Sequence, residues 1–371
     1  MNKTKGEQTS LAERKRRAGQ RLVIGIYGKS LTDDARRLVR AIRPAGFILF
    51  RRNVEDPAQV LDFNKELIDL CGSDLPPLLT IDQEGGRVQR VRAPATEWPT
   101  MRALGDVPEH IEAISTGLAN EVRAMGFNLN FAPDADVDSN PDNPVIGDRS
   151  FGRDPATVAK HVARFIRAHQ AAGVIACAKH FPGHGDTNTD SHHELPWVHR
   201  DAQGLDDIEL PPFRASIDAG VGSVMTSHVM FPAWDERWPA TLSPRIMRDI
   251  LRKKLGYDGV VFTDDLDMKA VSERYTTHDK VRQTLLGGVD LSLACHSIDL
   301  QIGLYEEAVR LQEDHGDLDA MAKESFKRMQ ILRDRFLTQQ PPAPRLSVVG
   351  CQRHLDLARH VTEQAARHTL S

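Results

Sequence analysis

From residue 21 onward, short runs of apolar and β-branched residues alternate with segments whose apolar positions recur at helical spacing. The runs are Arg21–Ile26, Ala45–Phe50, Pro77–Asp82, Phe127–Ala132, Val174–His180, Ser223–His228, Gly259–Asp264 and Val289–Ala294. Turn-forming or polar residues bound them, which predicts buried strands. The intervening segments predict helices near 32–43, 57–71, 107–125, 155–172, 206–219, 244–255 and 278–287, with a last helical region over about 299–337. Asp154-Pro155 and Ser243-Pro244 place a capping side chain before a proline at the first helical position. Gly126, Gly173, Gly220 and Gly256 stand where helices must stop.

Eight strand-then-helix units predict a parallel sheet, and that number points to closure as an α/β fold of the (β/α)8 TIM-barrel type, a single domain over residues 21–337. A doubly wound open sheet is the runner-up, but no GxGxxG opens the first unit, and Gly25-Ile26-Tyr27-Gly28 is a weak substitute. Residues 1–20 are polar and basic and predict a solvated arm or a short surface helix. Gln339-Gln340-Pro341-Pro342-Ala343-Pro344 reads as a linker. An amphipathic stretch near 353–368 follows, so residues 338–371 are expected to form a C-terminal extension whose helix packs on the barrel.

Composition narrows the function class. The 371 residues carry a formal net charge of −4, which gives no reason to expect a nucleic-acid partner. Cys71, Cys177, Cys295 and Cys351 are widely separated with no CxxC pair, which favours reduced thiols and a cytoplasmic setting. The N-terminal segment has no apolar core of a secretory signal, and no apolar run is long enough to span a membrane. These features give the expectation of a cytoplasmic protein with no nucleic-acid partner and no membrane span; a monomer that needs no cofactor is expected as well.

The chemistry concentrates at the predicted strand ends. These deliver Asp82, Asp134, Lys179 with His180, His228, and Asp264 with Asp265. Ionisable groups gathered at the carboxyl ends of barrel strands are what an active site of this fold requires. The densest stretch is Lys179–Pro196, KHFPGHGDTNTDSHHELP, with four histidines and three acidic residues. Asp264 closes a Val-Val-Phe-Thr run and is the candidate nucleophile, with Asp265 or Asp267 serving the turn. Asp190 and His192, two residues apart, can form a pair in which the carboxylate orients the imidazole and favours its protonated form. A lysine at a buried strand end must meet a carboxylate or a polar ligand. Asp82, Arg90 and Arg149 can supply such a ring or, for the arginines, equally a surface salt bridge. His180, His184, His192 and Asp186 are plausible metal ligands, but no spacing such as HExxH fixes them on one element, so no metal is expected. The long polar connection Pro133–Gly152, with five aspartates and three prolines, predicts a functional loop.

Four motifs, TIDQEGGRVQR (80–90), VIGDRSFGRDP (145–155), the Lys179–Pro196 stretch and FTDDLDM (262–268), resemble those of glycoside hydrolase family 3. The similarity runs over about residues 21–335 and is strongest to single-domain bacterial β-N-acetylhexosaminidases. It implies a retaining exo-β-N-acetylglucosaminidase that removes terminal β-linked GlcNAc, with muropeptides of peptidoglycan recycling as the implied substrates and chitin fragments as the alternative. By match to the motifs, Asp264 is the implied nucleophile, His192 the acid/base and Asp190 its partner. Asp82, Arg90, Arg149, Lys179 and His180, with His228 and Met268, are the implied sugar-binding residues. The glycines at Pro182-Gly183-His184-Gly185 imply a loop that closes on substrate. A phosphorylase on the same barrel is the alternative activity, because a neutral histidine base does not repel phosphate. The tail from 339 resembles the start of the second domain of longer members.

Overall fold

The computed structural model describes residues 9–188, 194–338 and 340–370. Eight parallel strands close into a barrel in chain order: β1 (Leu22–Gly25), β2 (Gly46–Leu49), β3 (Leu78–Ile81), β4 (Leu129–Asn130), β5 (Ile175–Phe181), β6 (Ser223–Thr226), β7 (Val260–Asp265) and β8 (Leu291–Ala294). Each strand pairs with its sequence neighbours, and β8 returns to β1 through Leu22 opposite Ser292. The β5–β6 and β7–β8 registers shift near the carboxyl ends, at Ala178/Phe181 and Leu291/Leu293. Helices follow the strands as the alternation predicts. Asp154 Oδ2 accepts from Thr157 N at 2.8 Å and Ser243 Oγ from Ile246 N at 3.1 Å, capping the two Pro-started helices. Gly126 and Gly173 end theirs at φ +88° and +91°, a region that a side chain would strain.

Alternation along the strands decides what faces the barrel axis. Ile175, Cys177, Val260, Phe262, Leu291 and Leu293 belong to one interior cluster, with Phe131 edge-on to Phe262 at 5.2 Å. Continuing the same period points Lys179, Asp264 and Cys295 up out of the carboxyl end. Met329, Leu332 and Phe336 of the helix Gly316–Phe336 join that cluster. Arg333 from this helix donates to Pro76 O (3.0 Å) and Ala45 O (3.4 Å), which precede β3 and β2. The amino end of the barrel is thereby plugged, and the axis opens only at the carboxyl end.

The flanking segments differ in part from expectation. Residues 11–19 form a helix opened by a Ser10–Glu13 capping box, but it is more than a surface arm. Arg17 is buried, donates from Nε to Gln312 Oε1 at 3.2 Å and pairs with Asp319, so contacts with the last two barrel helices draw the basic segment inward. The region 299–337 is two helices, Ile298–Asp314 and Gly316–Phe336, broken at His315, whose φ of −132° and ψ of +105° are extended. Gln352–Leu370 is a helix lying against Met101–Asp106 and Ile111–Ala124. It is anchored where His354 Nδ1 meets the buried Glu121 Oε1 at 2.8 Å. All four cysteines are free thiols. No helix among the described residues is long and apolar enough to cross a membrane.

Candidate active site

A cavity of about 320 Å³ opens at the carboxyl end of the barrel. Its apolar floor is Ile48, Phe131, Met225 and Leu293, the top of the interior cluster. Its walls are charged. Lys179, at the end of β5, is buried and places Nζ 2.8 Å from Asp82 Oδ1 and 2.6 Å from Glu84 Oε1. Asp82 also receives Arg90 Nη2 at 3.0 Å, and Glu84 receives Arg149 as a fork, Nε to Oε2 at 2.9 Å and Nη2 to Oε1 at 2.8 Å. Arg90, Asp82, Lys179, Glu84 and Arg149 thus alternate in sign around one wall. Burial alone would raise both carboxyls, but the flanking cations outweigh it: Glu84 falls to about 2, and Asp82 lies far below the usual carboxylate range. Burial likewise disfavours the charged Lys179, and its two carboxylates reverse that and raise it. Asp82 and Glu84 are thereby held ionised, as are Lys179 and Arg149, whose carboxylate neighbours raise them, and the remaining hydrogen-bonding capacity of this wall can face a ring of hydroxyls.

Beneath Arg149 lies a second buried set. Asp136 accepts from His180 Nδ1 (2.8 Å), His184 N (2.7 Å) and His180 N (3.2 Å), while Asp134 Oδ1 accepts from Asp136 N at 2.9 Å. Burial and then Arg149 lower the His180 imidazole to about 4, so it is neutral at pH 7. Its Nδ1–H donates to Asp136, which leaves Nε2 on the Arg149 side at 3.4 Å. Burial first, and then Asp136, raise the Asp134 carboxyl to about 8. Asp134, Asp136 and His180 are close enough together to be potential ligands for one cation. Arg149 Nη2, 3.5 Å from Asp134 Oδ2, already supplies positive charge there, and His180 Nδ1 is committed to Asp136.

The opposite wall is β7 and its turn. Asp264, two residues beyond Phe262 on the inward face, lines the cavity together with Lys179 and Asp82. Asp265 lines its edge, but its Oδ1 accepts from Asp267 N and Cys295 N, both at 3.1 Å. Asp267 in turn caps His296 N at 2.8 Å and Ser297 N at 3.2 Å. The two later aspartates therefore build the turn. Burial first, and then the neighbouring Asp267 and Asp264 charges, raise Asp265 to about 7.

Of the residues singled out from sequence, Asp82, Arg90, Arg149, Lys179, His180, Asp264 and Met268 line this one cavity. His228 does not, which corrects its expected place. It is buried one step off the Met225 face, with Nδ1 2.8 Å from Thr241 Oγ1 and Nε2 2.9 Å from the Asp265 carbonyl, so it braces the β7 turn from behind. Asp190 and His192 lie outside the described residues. The root of their loop is fixed: Asn143 Nδ2 donates to His184 O (2.8 Å) and Gly185 O (3.0 Å), and Arg200 pairs with Asp186 at 2.9 Å. Sequence reasoning did not single out Glu84 or Asp136. Each lies two residues beyond an aspartate it had placed, and that i, i+2 repeat was the available signal.

The description "Glycosyl hydrolase family 3 N terminal domain" matches residues 15–328. A β-hexosaminidase A of Pseudoalteromonas piscicida is 39% identical over 285 residues, 71% of this chain and 48% of its own length. The chain thus spans about half of that relative. A β-hexosaminidase of Thiobacillus denitrificans is 39% identical over 75% of this chain and 79% of its own length. A solved family 3 β-N-acetylglucosaminidase from a Paenibacillus species superposes with a TM-score of 0.86 at 38% identity, covering 95% of this chain and 68% of the other. With a family match over most of its length and relatives of this similarity, the chain belongs to glycoside hydrolase family 3 and is an enzyme of the glycoside hydrolase class.

Proposed function

We propose that the chain is a retaining exo-β-N-acetylglucosaminidase acting on terminal β-linked GlcNAc, with muropeptide fragments in a reducing cytoplasm as its substrates. The observation that carries this is a blind cavity with an apolar floor, a wall of alternating charges and Asp264 opposite that wall. The exo mode itself rests on the motif resemblance, and the closed apolar floor fits a site that holds one terminal ring. Asp82, Lys179 and Arg90 offer both donors and acceptors to neighbouring hydroxyls of the terminal ring, and neutral His180 with Arg149 grips the next. Binding energy from these contacts orients the anomeric carbon toward Asp264.

The Asp264 carboxylate attacks that carbon, the glycosidic bond breaks, and protonated His192 gives its proton to the departing oxygen. Neutral His192, oriented by Asp190, then takes a proton from water. The hydroxide so formed displaces Asp264 and restores the enzyme with net retention. Muropeptide preference rests on the motif resemblance, and the four free thiols fit a reducing compartment. Product analysis with muropeptides and with chitobiose tests the reading. Free GlcNAc released in the β form supports it. Release of a sugar phosphate in phosphate buffer would move the assignment to a phosphorylase, and inertness toward both substrates would overturn it.

A further inference from the structure

Next to the cavity is a second groove of about 500 Å³ that the chemistry above does not use. The same three loops supply both. The loop after β4 gives Val145 to the cavity and Asn140 to the groove; the loop after β5 gives His184 and then Asp186; the turn after β7 gives Met268 and then Arg274. Leu195 in the groove packs with Ala270, two residues beyond Met268 of the cavity, so the β7 turn borders both spaces. The hydroxyl-binding wall is built from Asp82, Glu84, Arg90, Arg149 and Lys179, on the side away from Asp264. A sugar bound at that wall would turn its reacting carbon toward Asp264 on β7, and the turn after β7 is one of the segments the cavity shares with the groove.

The groove contains Trp197, the one exposed residue among four tryptophans, at 43%. Its position is built. Met230 N donates to Pro196 O and Val198 N to Met230 O, both at 2.9 Å, which pins the backbone on either side. The His199 ring lies parallel to the indole, 8° between planes and 6.0 Å between centroids. A rigid, exposed indole costs little entropy to use and offers a face to the C–H side of a pyranose.

We infer that Trp197 is the platform of a leaving-group subsite and that its ligand is the second pyranose ring of the substrate. This rests on the proposed glycosidase reading and deepens it: aglycone contacts made at Trp197 increase catalysis on saccharide leaving groups and do nothing for compact ones. The test compares Trp197→Ala and Trp197→Tyr with the parent enzyme on chitobiose and on N-acetylglucosaminyl β-fluoride, whose leaving group is a single atom. The alanine variant is expected to lose about tenfold in kcat/KM on chitobiose, the tyrosine variant to keep most of it, and both to match the parent on the fluoride. Equal loss on both substrates, or no loss on chitobiose, would overturn the subsite while leaving the glycosidase reading intact. A parent enzyme inert to both would remove that reading and the subsite with it.

Discussion

Replacing Glu84 by glutamine keeps the side-chain shape and deletes one charge from the buried wall. Lowering the Glu84 carboxyl from its ordinary 4.5 to about 2, the balance of burial, which opposes ionisation, and of Arg149 and Lys179, which outweigh it, corresponds to about 3 kcal/mol of net stabilisation. That is an upper figure, because in the variant Lys179 still has Asp82 at 2.8 Å and Arg149 still has Asp134 at 3.5 Å. Removing one member of a buried ionic set generally costs several kcal/mol, so a loss of about 2–3 kcal/mol at pH 7 is expected. A carboxyl whose folded pKa is depressed contributes stability that is present above its unfolded pKa and is lost as pH falls toward the folded one. The difference between parent and Glu84→Gln should therefore be full at pH 7 and shrink between about pH 4.5 and pH 2. Urea-unfolding midpoints measured at pH 7, 4 and 3 read it directly, with activity at pH 7 as a second readout, since a displaced Lys179 no longer meets the sugar. Equal stability of the two proteins at pH 7, or a difference that grows as pH falls, would refute the electrostatic account of this wall.

Three further outcomes follow from the geometry. Asp264→Asn should lower turnover of a chromogenic β-N-acetylglucosaminide by roughly three orders of magnitude or more, whereas Asp265→Asn should retain measurable turnover because that side chain serves the turn; equal loss in both would undo the assignment. Burial holds the Glu209 carboxyl up at about 8 despite Arg200 Nε at 3.6 Å, since Asp136 and Asp186 oppose ionisation. A raised carboxyl makes its full contribution to stability below its unfolded pKa and loses it as pH rises, so thermal melts of the parent should show stability falling between about pH 5 and 8, and Glu209→Gln should flatten that fall. His354→Ala should cost about 1–3 kcal/mol in urea unfolding, because Glu121 is left buried with one donor fewer and the C-terminal helix loses its anchor.

Local pattern carried the barrel because each strand is short, apolar and closed by a turn residue, so no distant information was needed to read it. The same holds for Asp264 and Lys179, which continue the inward face of their strands by two residues. Parity would also have excluded His228, an odd step from Met225, had the inward face of β6 been known. Arg17 was beyond reach of sequence: its partners Asp319 and Gln312 lie about 300 positions away, and only closure of the barrel brings them together. Glu84 was hidden for a related reason. Its role depends on Arg149 and Lys179 arriving from two other strand ends, and nothing in QEGG announces a buried carboxylate. The Asp190–His192 pair remains an inference from spacing and motif, joined to the described site through the fixed loop root at Asn143 and Arg200.

The central claim is that a covalent bond forms between Asp264 and the sugar. Incubation with a fluorinated N-acetylglucosaminyl fluoride that slows the second step, followed by intact-mass measurement and peptide mapping, tests it most directly. The account predicts one added glycosyl group per chain, located on the peptide containing Asp264 and absent from Asp264→Asn. Label on any other residue, or full turnover by Asp264→Asn, would contradict it.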